Sequence, residues 1–381
     1  MPDLFGLSDE TDDSGETDDS GNAAGSAHAA SGDQRATPPV RRKRGPRQVE
    51  PAPVSTELAA LSTKLPAHIR LGTSSWSYPG WDGLAYSGDY STPALAKHGL
   101  QAYAAHPLLR SVSIDRSFYG PLSVADYLTY AGQTPEHFRF TVKAPASVTD
   151  AVLRDDRGAP ERPNPCFLNA DIARREFVMP CIEGLGARAG ALVFQFSPLP
   201  QYWLTATADW IARVGRFFAS LPPLPPRDSG RSDGAYYALE VRDAALLTPR
   251  LIKMLQSTGV RYCLALNARM PDVVRQASAL AALDAQAAGP LIVRWSLHSG
   301  FKYEQAKARY EPFDAIVDAD PASRAALAQL AAHYALAGQP VTITISNKAE
   351  GSAPLTCFGL AEDIVRALEQ AEAASAAATK R

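Results

Sequence analysis

The chain has 381 residues, 46% of them hydrophobic, and a net charge of −2, which allows one large domain or two or three small ones. The small net charge argues against a general affinity for polyanions, and the absence of any run of about 18 apolar residues predicts no membrane partner. Without a signal-peptide pattern or a C-x-x-C pair, the four widely spaced cysteines predict free thiols in a cytoplasmic protein, not a disulfide framework.

The first 65 residues differ in composition from the rest. Residues 1–20 carry eight acidic side chains and no basic one, and residues 21–34 are rich in alanine, glycine and serine. Too few apolar side chains remain to offset the loss of chain entropy, so residues 1–65 are expected to be disordered. The basic residues within 35–47 predict a contact with nucleic acid, whereas a merely solubilising tail is the alternative interpretation. Residues 66–381 then form the folded domain.

Runs typical of strands alternate with runs typical of helices through the rest of the chain. The predicted strands are 68–75, 111–118, 138–144, 190–197, 235–242, 260–266, 290–296 and 340–346. The predicted helices are 93–105, 123–132, 171–185, 205–221, 246–258, 271–286, 321–337 and 359–375. This repeated alternation predicts an α/β fold, a single closed (β/α)8 TIM barrel. An open doubly wound sheet is the competitor, but the chain lacks its glycine-rich phosphate loops.

Charged side chains fall on one face of the fifth predicted strand, "YYALEVRD". Glu240 and Arg242 are two residues apart and share a face, while Leu239 and Val241 take the other. The same alternation in the other strands puts polar residues on the inward face, towards the carboxyl ends where barrel active sites lie. The sequence therefore predicts a ring of inward polar side chains: Lys143, Gln195, Glu240, Arg242, Asn267 and Arg294. An internal salt-bridge network that only fills the barrel is the alternative.

Six motifs in a fixed order resemble a known family. They are "GTSSWSYPGW" (72–81), "SIDRSFYG" (113–120), "FRFTVKAP" (138–145), "LVFQFSP" (192–198), "LEVRD" (239–243) and "SNKAEGSAP" (346–354). They resemble the YecE-like family, domain of unknown function 72, over about residues 70–370. The resemblance implies a TIM barrel but no settled activity. This chain differs from the family pattern at Ser113, Asp115, Asp243 and Ser296, so a diverged, non-catalytic protein remains an alternative.

The ring holds three cations around one evident carboxylate, which predicts an anionic ligand because unpaired buried charge is unfavourable. We expect Glu240 to act as general base, with Lys143 and Asp115 as the other catalytic residues. An imine-forming role for Lys143 and a glycosidase-like carboxylate pair are alternatives. The predicted substrate-binding residues are Arg242, Arg294, Gln195, Asn267, Trp76, Tyr119 and Asn347.

The predicted function is acid/base chemistry on a small anionic molecule, phosphorylated or sugar-like, at the carboxyl end of the barrel. This would make the protein a hydrolase or lyase without a cofactor. No metal site is predicted, since the strand ends offer neither an H-x-H nor an H-E-x-x-H pattern. The alternative function is that of a binding or accessory protein that associates with nucleic acid through its basic tail. The oligomeric state is not predicted.

Overall fold

Eight parallel strands close into a barrel in the computed structural model, which describes residues 48–154, 160–225, 234–298 and 301–379. The barrel strands are β1 (Ile69–Thr73), β2 (Leu109–Ile114), β3 (Arg139–Lys143), β6 (Ala189–Phe196), β7 (Tyr236–Val241), β8 (Arg261–Leu266), β9 (Leu291–Trp295) and β10 (Val341–Ile345), while β4 (Val152–Arg154) and β5 (Pro160–Pro163) form a separate hairpin. The strand order around the barrel is β1-β10-β9-β8-β7-β6-β3-β2. The predicted TIM barrel is confirmed.

Helices connect and surround the strands. They are α1 (Thr56–Lys64), α2 (Thr92–His98), α3 (Leu100–Ala104), α4 (Arg116–Tyr119), α5 (Val124–Gly132), α6 (Ala146–Thr149), α7 (Ala170–Ala173), α8 (Met179–Leu185), α9 (Gln201–Thr205), α10 (Thr207–Ala219), α11 (Pro249–Thr258), α12 (Val273–Asp284), α13 (Tyr303–Tyr310), α14 (Pro321–Leu336) and α15 (Ala353–Thr379). Ser123 caps α5 through a reciprocal capping box with Asp126. None of the helices in the described ranges is long and apolar enough to cross a membrane.

The inside of the barrel is built in layers. Outward-facing residues such as Val112 and Ile114 pack in the large core between strands and helices. Inside the barrel lies a separate small apolar cluster, formed by Ala191, Val193, Tyr236, Ala238, Cys263 and Ile292. Because inward side chains recur every second residue, Gln195 follows Val193, Glu240 follows Ala238 and Arg294 follows Ile292. The charged ring therefore rests on an apolar floor and faces the carboxyl end of the barrel.

Residues 48–65 differ from their predicted disorder. Ser55 caps α1 by accepting a hydrogen bond from the Leu58 amide, and Leu65 at the end of α1 is 2% exposed. The guanidinium of Arg110 donates to the carbonyls of Ser62 and Leu65. These contacts hold α1 in place on the barrel, although its composition is similar to that of the predicted disordered tail. Residues 1–47 lie outside the described residues, so their disorder and the nucleic-acid contact of 35–47 stay predictions.

Other differences involve short or interrupted elements. The β4–β5 hairpin and α13 were not predicted, because β5 ("PERP") is exposed and lacks apolar residues that alternate, and α13 ("YEQAKARY") has few apolar residues. The helix predicted at 93–105 is two helices that meet at Gly99, and the helix predicted at 205–221 is interrupted at Ala206. Tertiary contacts determine where these helices begin and end, and local propensity alone does not predict it.

Strands β1 and β2 approach each other most closely at Gly72. A Cβ atom at this position would lie 1.9 Å from the carbonyl oxygen of Ser111. We therefore expect Gly72→Ala to lower the free energy of unfolding by about 1–3 kcal/mol, measured by urea denaturation. Gly132→Ala, at the end of α5 with open space around it, is the control and should cost nothing. Equal stability of the two variants would contradict the close approach.

Candidate functional site

Four side chains from β6, β7 and β9 form the centre of the charged ring. Glu240 on β7 pairs with Arg242 through Oε1 at 2.7 Å and with Arg294 on β9 through Oε2 at 2.8 Å. Gln195 on β6 accepts a hydrogen bond from each guanidinium through its Oε1, both at 2.9 Å. Glu240 has no exposed side-chain surface, whereas Arg242 is 17% exposed. The carboxylate is thus enclosed, and Arg242 is the cation closest to solvent in this group.

Asp115 extends this network towards β2. Its two oxygens accept hydrogen bonds from Nη2 of Arg294 at 2.9 and 3.2 Å. The Ser113 hydroxyl donates to the same carboxylate at 2.6 Å. Arg294 therefore bridges two carboxylates, Asp115 and Glu240, and holds the two sides of the barrel mouth together.

Both carboxyl groups are held in their ionised form. Burial raises the pKa of Glu240, but Arg242 and Arg294 outweigh this effect, so the pKa lies below its ordinary value. Burial likewise raises the pKa of Asp115, and Arg294 and Lys143 bring it below the ordinary value. A carboxylate with a lowered pKa is a poor proton acceptor at neutral pH. Glu240 is therefore better suited to orient the two guanidiniums than to act as a base.

Lys143, the last residue of β3, has a different environment. Its side chain is buried, and Nζ lies 3.7 Å from the centre of the Phe118 ring. Across the described residues, the ammonium makes no hydrogen bond and no ion pair within 4.0 Å. Burial lowers the pKa of Lys143 to about 8, with Asp115 acting against this shift and the two guanidiniums adding to it. Lys143 is a buried cation whose charge is not compensated by direct contact.

Asp150 is a neighbour of Lys143 that the strand pattern did not predict. It caps the C-terminus of α6, the short helix after β3, and its side chain is buried. Burial raises the pKa of Asp150, although Arg154 and Lys143 act in the opposite direction. Its Oδ1 has no hydrogen-bond partner among the described residues. The sequence signal was present in "KAPASVTD", where an acid follows the strand end by one helical turn, but strand alternation cannot detect it.

Two predicted binding residues, Asn267 and Asn347, form hydrogen bonds within the loops around the ring. Asn267, at the end of β8, accepts a hydrogen bond from the Arg269 amide at 2.9 Å. Asn347 is fully buried after β10, and its Oδ1 accepts hydrogen bonds from Nε1 of Trp81 and the amide of Ala353. Asn347 thereby fixes the start of α15. Within the described parts of the chain, neither amide side chain forms a hydrogen bond with the charged centre.

The two predicted aromatic residues lie beside the ring. Trp76 and Tyr119 both line a cavity of about 540 Å³ at the carboxyl ends of β1 and β2. Trp76 is buried and packs edge-to-face on Tyr130, whereas Tyr119 is 48% exposed. Asp115 lines the same cavity, so this space adjoins the charged ring.

The positions at which the chain differs from the family pattern have defined contacts. Asp243 accepts hydrogen bonds from the Leu199 amide at 2.8 Å and from Arg269 at 2.7 Å, which ties two loops at the barrel mouth together. The Ser296 hydroxyl accepts a hydrogen bond from Arg242 at 3.4 Å. These contacts hold the loops and one guanidinium in place. In the part of the chain that the structure describes, no group of three His, Cys, Asp or Glu side chains could hold a metal ion.

The fold and the sequence are similar to those of proteins of one family. The model of the family "Protein of unknown function DUF72" matches residues 70–380. A DUF72 family protein from Thermotoga maritima MSB8 is similar in structure, with a TM-score of 0.51 and 16% identity over 77% of this chain and 98% of that one. Another from Enterococcus faecalis V583 has a TM-score of 0.46 and 15% identity over 79% of this chain and 95% of that one. No curated protein matches. The family match covers most of the chain, which therefore belongs to the DUF72 family.

Proposed function

We propose that the protein is an enzyme that binds a small anion at the carboxyl end of the barrel and transfers a proton through Lys143. The observation that carries this proposal is the buried Lys143 residue, whose ammonium has no direct anionic partner among the described residues. A buried cation is unfavourable without a counter-charge. A phosphate or carboxylate of a ligand would supply this counter-charge, with Arg242, the more exposed of the two guanidiniums, as a second contact.

The proton-transfer role follows from the pKa values of Lys143 and Asp150. With a pKa of about 8, Lys143 is mostly protonated at neutral pH yet releases its proton readily. Asp150 has a raised pKa, so it accepts a proton more readily than an ordinary carboxylate. Neighbouring groups with pKa values shifted towards the working pH are suited to act as acid and base. In this proposal Lys143 and Asp150 exchange protons with the substrate, and Glu240 and Asp115 position the guanidiniums.

The test is a thermal-shift screen of phosphorylated and carboxylated metabolites on the full chain. We expect at least one ligand to raise the melting temperature of the wild type, because ligand binding to the folded state stabilises it. Lys143→Met should abolish the shift. Lys253→Met, which removes an exposed lysine from α11, is the matched control and should leave the shift unchanged. The proposal fails if no anion stabilises the protein at millimolar concentration, or if Lys143→Met responds like the wild type.

A further inference from the structure

The cavity of about 540 Å³ beside the ring differs in chemistry from the ring itself. It lies between the loop after β1, the start of α2 and the loop after β2. Ser74, Ser75, Ser77 and Thr92 are among the residues that line it. Its volume falls within the range of about 300–1,000 Å³ that is typical of small-molecule sites.

The serine and threonine residues of the walls suit a ligand that carries hydroxyl groups. Serine and threonine hydroxyls both donate and accept hydrogen bonds, as the hydroxyls of a ligand do. Tyr119 and Tyr130 add aromatic surface to the same cavity, and Tyr119 is 48% exposed. Aromatic faces pack against the apolar C–H faces of a ring whose edges carry hydroxyls. The walls also include apolar side chains such as Ile114 and Leu122. A polyhydroxylated ring, with apolar faces and hydroxylated edges, therefore matches both kinds of wall residue.

Charge limits what can occupy the cavity. Asp115 lines it, and 22% of that side chain is exposed. The carboxylate already binds Arg294 and Ser113, and its remaining lone pairs can accept hydrogen bonds from ligand hydroxyls. A second anionic group next to it would be repelled. Arg116 also lines the cavity, but it is exposed to solvent, where its field is screened. The group in the cavity is expected to be neutral.

We propose that this cavity binds the neutral, polyhydroxylated ring of a sugar phosphate or sugar acid whose anionic group reaches Lys143. Asp115 connects the cavity to the charged ring, because it lines the cavity and accepts a hydrogen bond from Arg294 at 2.9 Å. In this arrangement the sugar ring fills the cavity between the loops after β1 and β2. Its anionic group contacts Lys143. This inference rests on the proposed function, since it assigns the substrate class of the same site.

The test compares ligands that differ only in their hydroxyl groups. Dissociation constants for the full chain are measured by calorimetry with pentose 5-phosphates and hexose 6-phosphates, against n-pentyl, n-hexyl and methyl phosphate. Gluconate and glucuronate are compared with hexanoate in the same way. We expect at least one sugar derivative to bind at least about tenfold more tightly than the alkyl compound of equal chain length.

Two variants test whether the tighter binding of the sugar compound depends on the cavity. Ala96→Trp fills the cavity from its exposed rim on α2 and should remove the advantage of the sugar compound while methyl phosphate or hexanoate still binds. Ala281→Trp, on the exposed face of α12, is the control and should change neither. If Ala96→Trp does not fold, Tyr119→Ala replaces it and should selectively weaken the sugar compound.

Three results would overturn the inference. If alkyl compounds bind as tightly as their sugar counterparts, the cavity does not recognise hydroxyls, but the proposed anion site stands. If folded Ala96→Trp and Tyr119→Ala both keep the sugar advantage, the ring binds elsewhere. If none of these anions binds but another anion raises the melting temperature in the thermal-shift screen, the inference fails and the proposed function stands; if no anion does either, both fail.

Discussion

Replacing Arg294 by methionine is expected to lower the free energy of unfolding by about 3–5 kcal/mol, the usual cost of removing one partner of a buried ion pair. Arg294 bridges Glu240 and Asp115 and also donates to Gln195. Without it, the fully buried Glu240 keeps only Arg242 as a cationic partner, and Asp115 loses both hydrogen bonds from Nη2 of Arg294. Urea denaturation at neutral pH measures the change.

Two comparisons show whether buried charge is the cause. Arg309→Met breaks an exposed pair with Asp318, at 2.6 Å, and should lower the free energy of unfolding far less than Arg294→Met does. The double variant Glu240→Gln, Arg294→Met removes both charges of one pair, so it should be more stable than Arg294→Met alone. If Arg294→Met costs no more than Arg309→Met, the network does not stabilise the barrel as argued.

Strand alternation made much of the charged centre predictable. The two-residue spacing of Glu240 and Arg242 predicted a shared face, and the two side chains form an ion pair at 2.7 Å. The same rule placed Gln195 and Arg294 in contact with this pair, although they lie far apart in sequence. Closed barrels allow this inference, because every strand contributes alternate residues to one interior.

Residues outside the strands were not predictable by this rule. Asp150 lies at the end of a four-residue helix, where no periodicity fixes its direction. Asn347 follows β10 in a position that suggests a ligand contact, but its side chain binds Trp81 and the start of α15. Such roles depend on where loops fold back over the barrel. The pKa values of Glu240 and Lys143 likewise depend on burial and neighbouring charges, which the sequence does not give.

Replacing Lys143 by methionine is expected to stabilise the free protein at pH 7 by up to about 3 kcal/mol. The pKa of Lys143 is about 8 in the folded protein, against 10.5 for an ordinary lysine. Between these values the unfolded chain binds more protons, so the stability of the wild type rises with pH over this window. Below pH 8 both states are protonated, and the full cost of the buried charge is present. Methionine removes this cost, and urea denaturation from pH 7 to 10.5 measures it.

The advantage of Lys143→Met should therefore be largest below pH 8 and should shrink as pH rises towards 10.5. Lys143→Arg is the matched control, because a guanidinium stays protonated throughout this range and keeps its burial cost. The stability of Lys143→Arg relative to Lys143→Met should not depend on pH. A constant difference between wild type and Lys143→Met would show that Lys143 titrates normally. It would then be an ordinary solvated lysine, and the buried, uncompensated charge that supports anion binding would be absent.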